Sequence, residues 1–196
     1  MIYSQDSFDI FSSVTTIGNM LEKWKFIERK ILLDYPRMKI VEDYVKLPNG
    51  KQISYILEAP TDKVSVAIIA INDKNEILLQ KEYSYPPNEV LFQLPGGAVK
   101  ESEEIVAAAN RELSEDSGYI GKKSQVIGYY YLNNRRSDRK QYVILCNDLI
   151  KKKQPQDDEE IIESIWVSLD KVDQLIKENK TTNASLLAAL RLYDAL

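Results

Sequence analysis

Residues 64–71 read VSVAIIAI. A near-continuous apolar run has no alternation with which to give one face to water, so it predicts a strand covered on both faces. Such a strand needs a layer on each side. The segments around it supply both kinds of element. "ILLQKEY", "QVIGYYYL", "QYVILCNDL" and "IIESIWVSL" read as further strands, and "ASLLAALRLYDAL" reads as a terminal helix rich in Ala and Leu. Residues 170–178 read as a short helix with Asp170 as N-cap. Strands with a few helices imply an α/β fold, layered around a mixed sheet.

Upstream the texture changes. Residues 1–22 are weakly patterned and are read as an N-terminal arm. Residues 23–60 form an antiparallel β-segment: "WKFIERKILL" and "MKIVEDYVKL" alternate as half-buried strands do, and Pro48-Asn49-Gly50 marks a hairpin. Residues 61–196 form the main domain.

A second stretch, "LPGGAVKESEEIVAAANRELSEDSGY" (94–119), carries the chemistry. Gly96 and Gly97 allow close backbone approach; a helix follows over about 102–117, with Ser102 as N-cap and Gly118 as the stop. At about 100° per residue, Ile105, Ala109 and Leu113 form an apolar stripe, and Asn110 and Ser114 point the other way. Glu112 and Asp116 fall in or beside the apolar sector and Glu115 flanks them, whereas a solvated helix puts its acids opposite its core face. Glu112 and Asp116, four residues apart, repel each other unless a cation is present. Oxygen donors clustered on one rigid element are what Mg²⁺ or Mn²⁺ requires. Arg111 is placed to orient these carboxylates.

The chain has no histidine, which excludes Ser-His-Asp and Cys-His catalysis and His-ligated zinc. The single cysteine, Cys146, lies in an apolar run and reads as a core thiol. A net charge of -4 carries no basic footprint of nucleic-acid binding. No apolar run of about 18 residues predicts a membrane span, and no secretory signal pattern opens the sequence. The expected location is cytoplasmic.

Gly97, five residues, Glu103, seven residues, Arg111-Glu112-Leu113, one residue, Glu115-Asp116, one residue and Gly118-Tyr119 together resemble the Nudix box, with aspartate at 116 where that family usually has glutamate. The resemblance extends over roughly residues 24–192 to the branch of ADP-ribose pyrophosphatases and nucleotide-sugar hydrolases. It implies an α/β/α sandwich with a mixed β-sheet and an N-terminal β-rich extension, and Mg²⁺-dependent hydrolysis of a nucleoside diphosphate linked to another group, with Mn²⁺ as a substitute. It also implies a homodimer formed through the N-terminal strands. It assigns Glu112, Glu115 and Asp116, with the Gly96 carbonyl, to the metal. Glu160, with Glu159 as fallback, is assigned as general base. Arg111 is given a role in orienting the acids, and Glu103 one at the helix start or beside a water. Arg135, Arg136 and Arg139 form a basic loop suited to a phosphate, and Tyr83 is a further candidate for substrate contact. Tyr129, Tyr130 and Tyr131 read more as core than as a stacking face. Ser84, Gln93 and the loop Asn133–Asp138 depart from the branch at substrate-contact positions. The alternatives are a dinucleotide polyphosphate or cofactor as substrate, and a nucleotide-sensing module without turnover.

Overall fold

The structure is a computed structural model that describes residues 22–36, 38–60, 63–152 and 162–196. It divides into two compact units, Met1–Thr61 and Asp62–Leu196.

In the first unit, β1 (Lys25–Tyr35), β2 (Met38–Lys46) and β3 (Gln52–Glu58) form an antiparallel sheet in that order. The β2–β3 hairpin closes at the expected Pro48-Asn49-Gly50, where Asn49 Oδ1 accepts from the Lys51 N–H at 3.0 Å. β1 corrects the expectation of a half-buried strand. Leu33 alone is shielded, and Phe26, Ile31 and Tyr35 are each more than half exposed. Among the described residues β1 is an edge strand, with β2 as its backbone partner. Arg29 Nε and Nη2 donate to the two oxygens of Asp43 at 2.6 and 2.7 Å, which fixes the β1–β2 register at its middle.

The second unit contains β4 (Val64–Ala70), β5 (Glu76–Ser84), β6 (Glu89–Gln93), α1 (Ile105–Ser117), β7 (Tyr119–Tyr131), β8 (Lys140–Lys151), β9 (Ile162–Ser168), α2 (Leu169–Lys177) and α3 (Ala184–Tyr193). One sheet runs β4-β8-β7 and mixes a parallel pair with an antiparallel one; the other, β6-β5-β9, is antiparallel. The apolar run does what its lack of alternation predicts. Val66, Ile68 and Ala70 pack with Ala108, Ala109 and Leu113 of α1. Ala67 and Ile69 pack with Val172 of α2 and with Leu186, Ala189 and Leu190 of α3. Successive side chains of one strand thus feed two cores, with helices on both faces, which is the α/β/α arrangement.

Several local expectations need correction. α1 begins at Ile105, not near 102: its N-cap is Glu104, and Ser102 sits in the preceding turn at φ 64°. Ser168, not Asp170, caps α2, its hydroxyl accepting from the Lys171 N–H. β6 is an unpredicted strand of five residues. Asn110 and Ser114 do not turn away from the protein. Ser114 is buried and bonds the Lys152 carbonyl, and Asn110 Oδ1 accepts from the Gly121 N–H at 2.8 Å, so α1 has a second packed face against β7. Core packing describes Tyr130 only; Tyr129 and Tyr131 are about half exposed.

Candidate active site

The site is assembled where the loop 95–99 runs along β4. Val66 N–H donates to Gly97 O and Ile68 N–H to Pro95 O, both at 2.9 Å, and Val99 N–H donates to Val64 O at 3.0 Å. The loop thereby occupies the β4 edge that β8 leaves open. This close approach is what demands the two glycines. A Cβ on Gly96 would lie 2.1 Å from Val66 O, at a φ of 155° that L side chains avoid. A Cβ on Gly97 would lie 2.5 Å from the Glu112 carboxyl carbon. The missing side chain of Gly97 is therefore the space that the Glu112 carboxylate fills.

α1 brings its charged residues to this loop. It ends at Gly118, whose left-handed φ of 74° directs its N–H back to the Ser114 carbonyl. Arg111 stands at the centre of the acids. Its Nε and Nη2 donate to Glu103 at 2.8 and 2.9 Å, its Nη1 to Glu112 and Glu115 at 2.8 and 2.9 Å, and Nη2 also reaches the Ala98 carbonyl at 3.0 Å. The Arg111 hydrogen bonds outweigh burial and hold the Glu103 carboxyl down at about 2; the same contacts push the Arg111 guanidinium up. Asp116 Oδ2 accepts from Gln80 Nε2 at 2.9 Å and from the Gly96 N–H at 3.3 Å.

The repulsion expected among the acids is thus relieved in part by Arg111, and among the described residues no three acids stand grouped as an ion cage. Three carboxylates, those of Glu103, Glu112 and Glu115, share the Arg111 guanidinium, while Asp116 stands on Gln80 and the Gly96 N–H. The donors brought here are all hard oxygens, and Glu112 and Glu115 keep 14% and 32% of their side chains accessible. Carboxylates held in orientation by neighbouring donors fit a hard divalent cation. Glu103 commits its two oxygens to Arg111 and to the Lys100 N–H, so it braces the loop–helix junction.

Gly96 and Gly97 also border a cavity of about 290 Å³ lined by Ser65, Gln93, Arg139, Gln141, Asn183 and Ser185 among others. Of the predicted basic loop, Arg139 reaches this cavity; Arg135 and Arg136 are exposed and do not line it. Tyr83 is about half exposed on β5, with its hydroxyl on Asn88 Oδ1 at 2.8 Å, and does not line it either. Glu160 and Glu159 lie outside the described residues, as does nearly all of the predicted arm.

Two polar residues of β5 escaped the sequence reading. Gln80, 1% exposed, holds Asp116, and Glu82 accepts from Gln93 across the β5–β6 pair. The signal for Gln80 was available: an amide inside the run "ILLQ" must find a partner where water is excluded.

Comparison with known proteins bears on this geometry. The NUDIX domain model matches residues 61–190, and the chain belongs to that family. Among curated relatives, an ADP-ribose pyrophosphatase of Bacillus subtilis (strain 168) is 37% identical over 84 residues, 42% of this chain and 43% of that protein. An ADP-ribose pyrophosphatase of Saccharomyces cerevisiae is 30% identical over 134 residues, 62% of this chain and 58% of that protein. The chain thus spans about half the length of these two relatives. A methanol dehydrogenase activator of Bacillus methanolicus is 26% identical over 92% of this chain and 98% of its own. A crystal structure of an ADP compounds hydrolase superposes with a TM-score of 0.82, covering 89% of this chain and 94% of that one; at 20% identity it shows a shared fold.

Proposed function

We propose that the protein is a Mg²⁺-dependent pyrophosphohydrolase acting on a nucleoside diphosphate linked to a sugar, ADP-ribose or another nucleotide sugar. The observation that carries this reading is the way three acids of α1 are held beside the glycine loop: Glu112 against Gly97, Asp116 on Gln80 and the Gly96 N–H, and Glu115 with Glu112 on Arg111. Two relatives named ADP-ribose pyrophosphatase support the substrate class.

In this reading Glu112, Glu115, Asp116 and the Gly96 carbonyl hold the divalent ion, with Mn²⁺ as a substitute for Mg²⁺. When bound, the ion supplies Lewis-acid charge to the diphosphate and acidifies water. Glu160 takes a proton from the attacking water. The new P–O bond forms at one phosphorus, the bond from that phosphorus to the bridging oxygen breaks, and a nucleoside monophosphate and a sugar phosphate leave. Arg111 keeps the carboxylates in place as charge shifts. Arg139 meets a phosphate from the cavity, and Arg135, Arg136 and Tyr83 serve the outer part of the substrate. Exposed apolar residues of β1, Phe26, Ile31 and Tyr35 among them, support a homodimer formed through residues 23–60. The protein works on small molecules in the cytoplasm.

The reading is tested by chromatographic identification of products from a panel of ADP-ribose, ADP- and UDP-glucose, GDP-mannose, NADH, dinucleotide polyphosphates and nucleoside triphosphates. A nucleoside monophosphate and a sugar phosphate in equal amounts uphold it. The near full-length match to the methanol dehydrogenase activator favours a second reading, a Nudix protein that serves another enzyme. Preference in the same panel for a dinucleotide cofactor over every nucleotide sugar would select it.

A further inference from the structure

Alternate residues of β5 turn one face toward α1, and three of them have three different tasks. Leu78 packs with Ala108 and Leu113. Gln80 donates to Asp116 Oδ2 at 2.9 Å. Glu82 accepts from Nε2 of Gln93, the last residue of β6. The register partner of Gln93 is Gln80, so the Gln93 side chain crosses diagonally to reach Glu82. A carboxylate only accepts, so it holds the amide in one orientation, and the bond is charge-assisted.

At Gln93 β6 ends and the glycine loop begins. Backbone bonds hold that loop to β4 through Pro95, Gly97 and Val99, which are alternate residues. Gly96 lies between them and gives its N–H to Asp116 Oδ2 at 3.3 Å, just past the about 2.7–3.2 Å of an ordinary N–H···O bond. A contact this long has little slack. β5 therefore holds both sides of it: Gln80 on the Asp116 side and Glu82, through Gln93, on the loop side.

We infer that Glu82 is a positioning residue of the site: by clamping Gln93 it sets where the loop leaves β6, and with it the Gly96 backbone against Asp116. The inference rests on the metal-binding reading of Gly96 and Asp116. It adds a residue outside α1 and the loop, one that acts through Gln93 and not by touching the ion.

The test uses the full-length chain as wild type, Glu82→Leu, Glu82→Gln, Gln93→Leu and the double variant Glu82→Leu with Gln93→Leu. Hydrogen exchange of residues 94–99 is read in the metal-free chain, with β8 as internal control, and Mn²⁺ affinity is read by calorimetry without substrate. Glu82→Leu and Gln93→Leu should each speed loop exchange by about tenfold with β8 unchanged, and each weaken Mn²⁺ binding by about tenfold. The double variant should be no worse than either single one, because both remove the same bond. Glu82→Gln keeps an acceptor for the Gln93 amide and should stay within about threefold of wild type. Unchanged loop exchange in Glu82→Leu, additive losses in the double variant, or Mn²⁺ affinity unmoved when the loop loosens would each overturn the inference. So would equal weakening in Glu82→Gln and Glu82→Leu, which would mean that charge acts and position does not. If the wild type binds no Mn²⁺, the metal reading fails by itself; loop exchange that follows the expected pattern then upholds the clamp, and loop exchange that does not overturns it. Where Glu82→Leu does not fold, Gln93→Leu against Glu82→Gln decides by the same two readouts.

Discussion

Arg111 Nε and Nη2 engage both carboxylate oxygens of Glu103, eight residues earlier, at 2.8 and 2.9 Å. This fork joins the turn before α1 to the middle of the helix, and it leaves Nη1 for Glu112 and Glu115. Glu103 thereby fixes the arginine that fixes the acids. Replacing Arg111 by lysine keeps the charge but loses the planar fork. Arg111→Lys is expected to cost about 2 kcal/mol, below the roughly 3–5 kcal/mol for breaking a fully buried pair because the side chains remain about one-sixth exposed. Urea denaturation measures it.

The same pair has a pH signature. Arg111 holds the folded-state Glu103 carboxyl at about 2, below an ordinary 4.5. A depressed folded value means that the unfolded chain takes up the proton first as pH falls. The contribution is therefore complete above about 4.5 and is lost progressively between 4.5 and 2. The urea midpoint should fall with pH across that window in the wild type, and less steeply in Glu103→Gln.

The two loop glycines should fail differently. In Gly97→Ala the added methyl meets the flexible end of Glu112, so the carboxylate shifts while the fold stays. Activity should drop by about tenfold to a hundredfold, as for other losses of ligand orientation, with the melting temperature changed by a few degrees at most. In Gly96→Ala the methyl meets the Val66 backbone at a strained φ. Expression yield and melting temperature should both collapse.

Much of this architecture was legible in the sequence because it is local. The absence of alternation in 64–71 foretells two covered faces, and Gly118 foretells the end of α1 three residues after Glu115. What was not legible depends on pairing across the chain. Gln80 meets Asp116 across 36 residues, a contact that neither segment advertises. The cavity joins Ser65, Arg139 and Ser185, contributed by β4, the loop before β8 and α3. β6 is too short for its alternation to stand out, and the exposure of β1 depends on what packs on the faces of its sheet, which its residue pattern does not encode.

Gln80 provides the cleanest separation of positioning from packing. Gln80→Leu keeps a buried side chain of similar size and removes the donor to Asp116 Oδ2. The Mg²⁺ concentration giving half-maximal rate should rise by about tenfold or more, while the KM for nucleotide substrate changes little. A loss of stability with an unchanged Mg²⁺ requirement would mark Gln80 as packing alone.

Under the proposed function, the acids of α1 hold a divalent ion against a diphosphate. This is tested most directly by the initial rate of ADP-ribose and nucleotide-sugar hydrolysis against Mg²⁺ concentration, for wild type and Glu115→Gln side by side. Saturable activation by Mg²⁺, abolition by chelator, and a loss of at least about a hundredfold in Glu115→Gln with the fold intact are expected. Hydrolysis that persists without divalent ions, or that is equal in the two proteins, would contradict it.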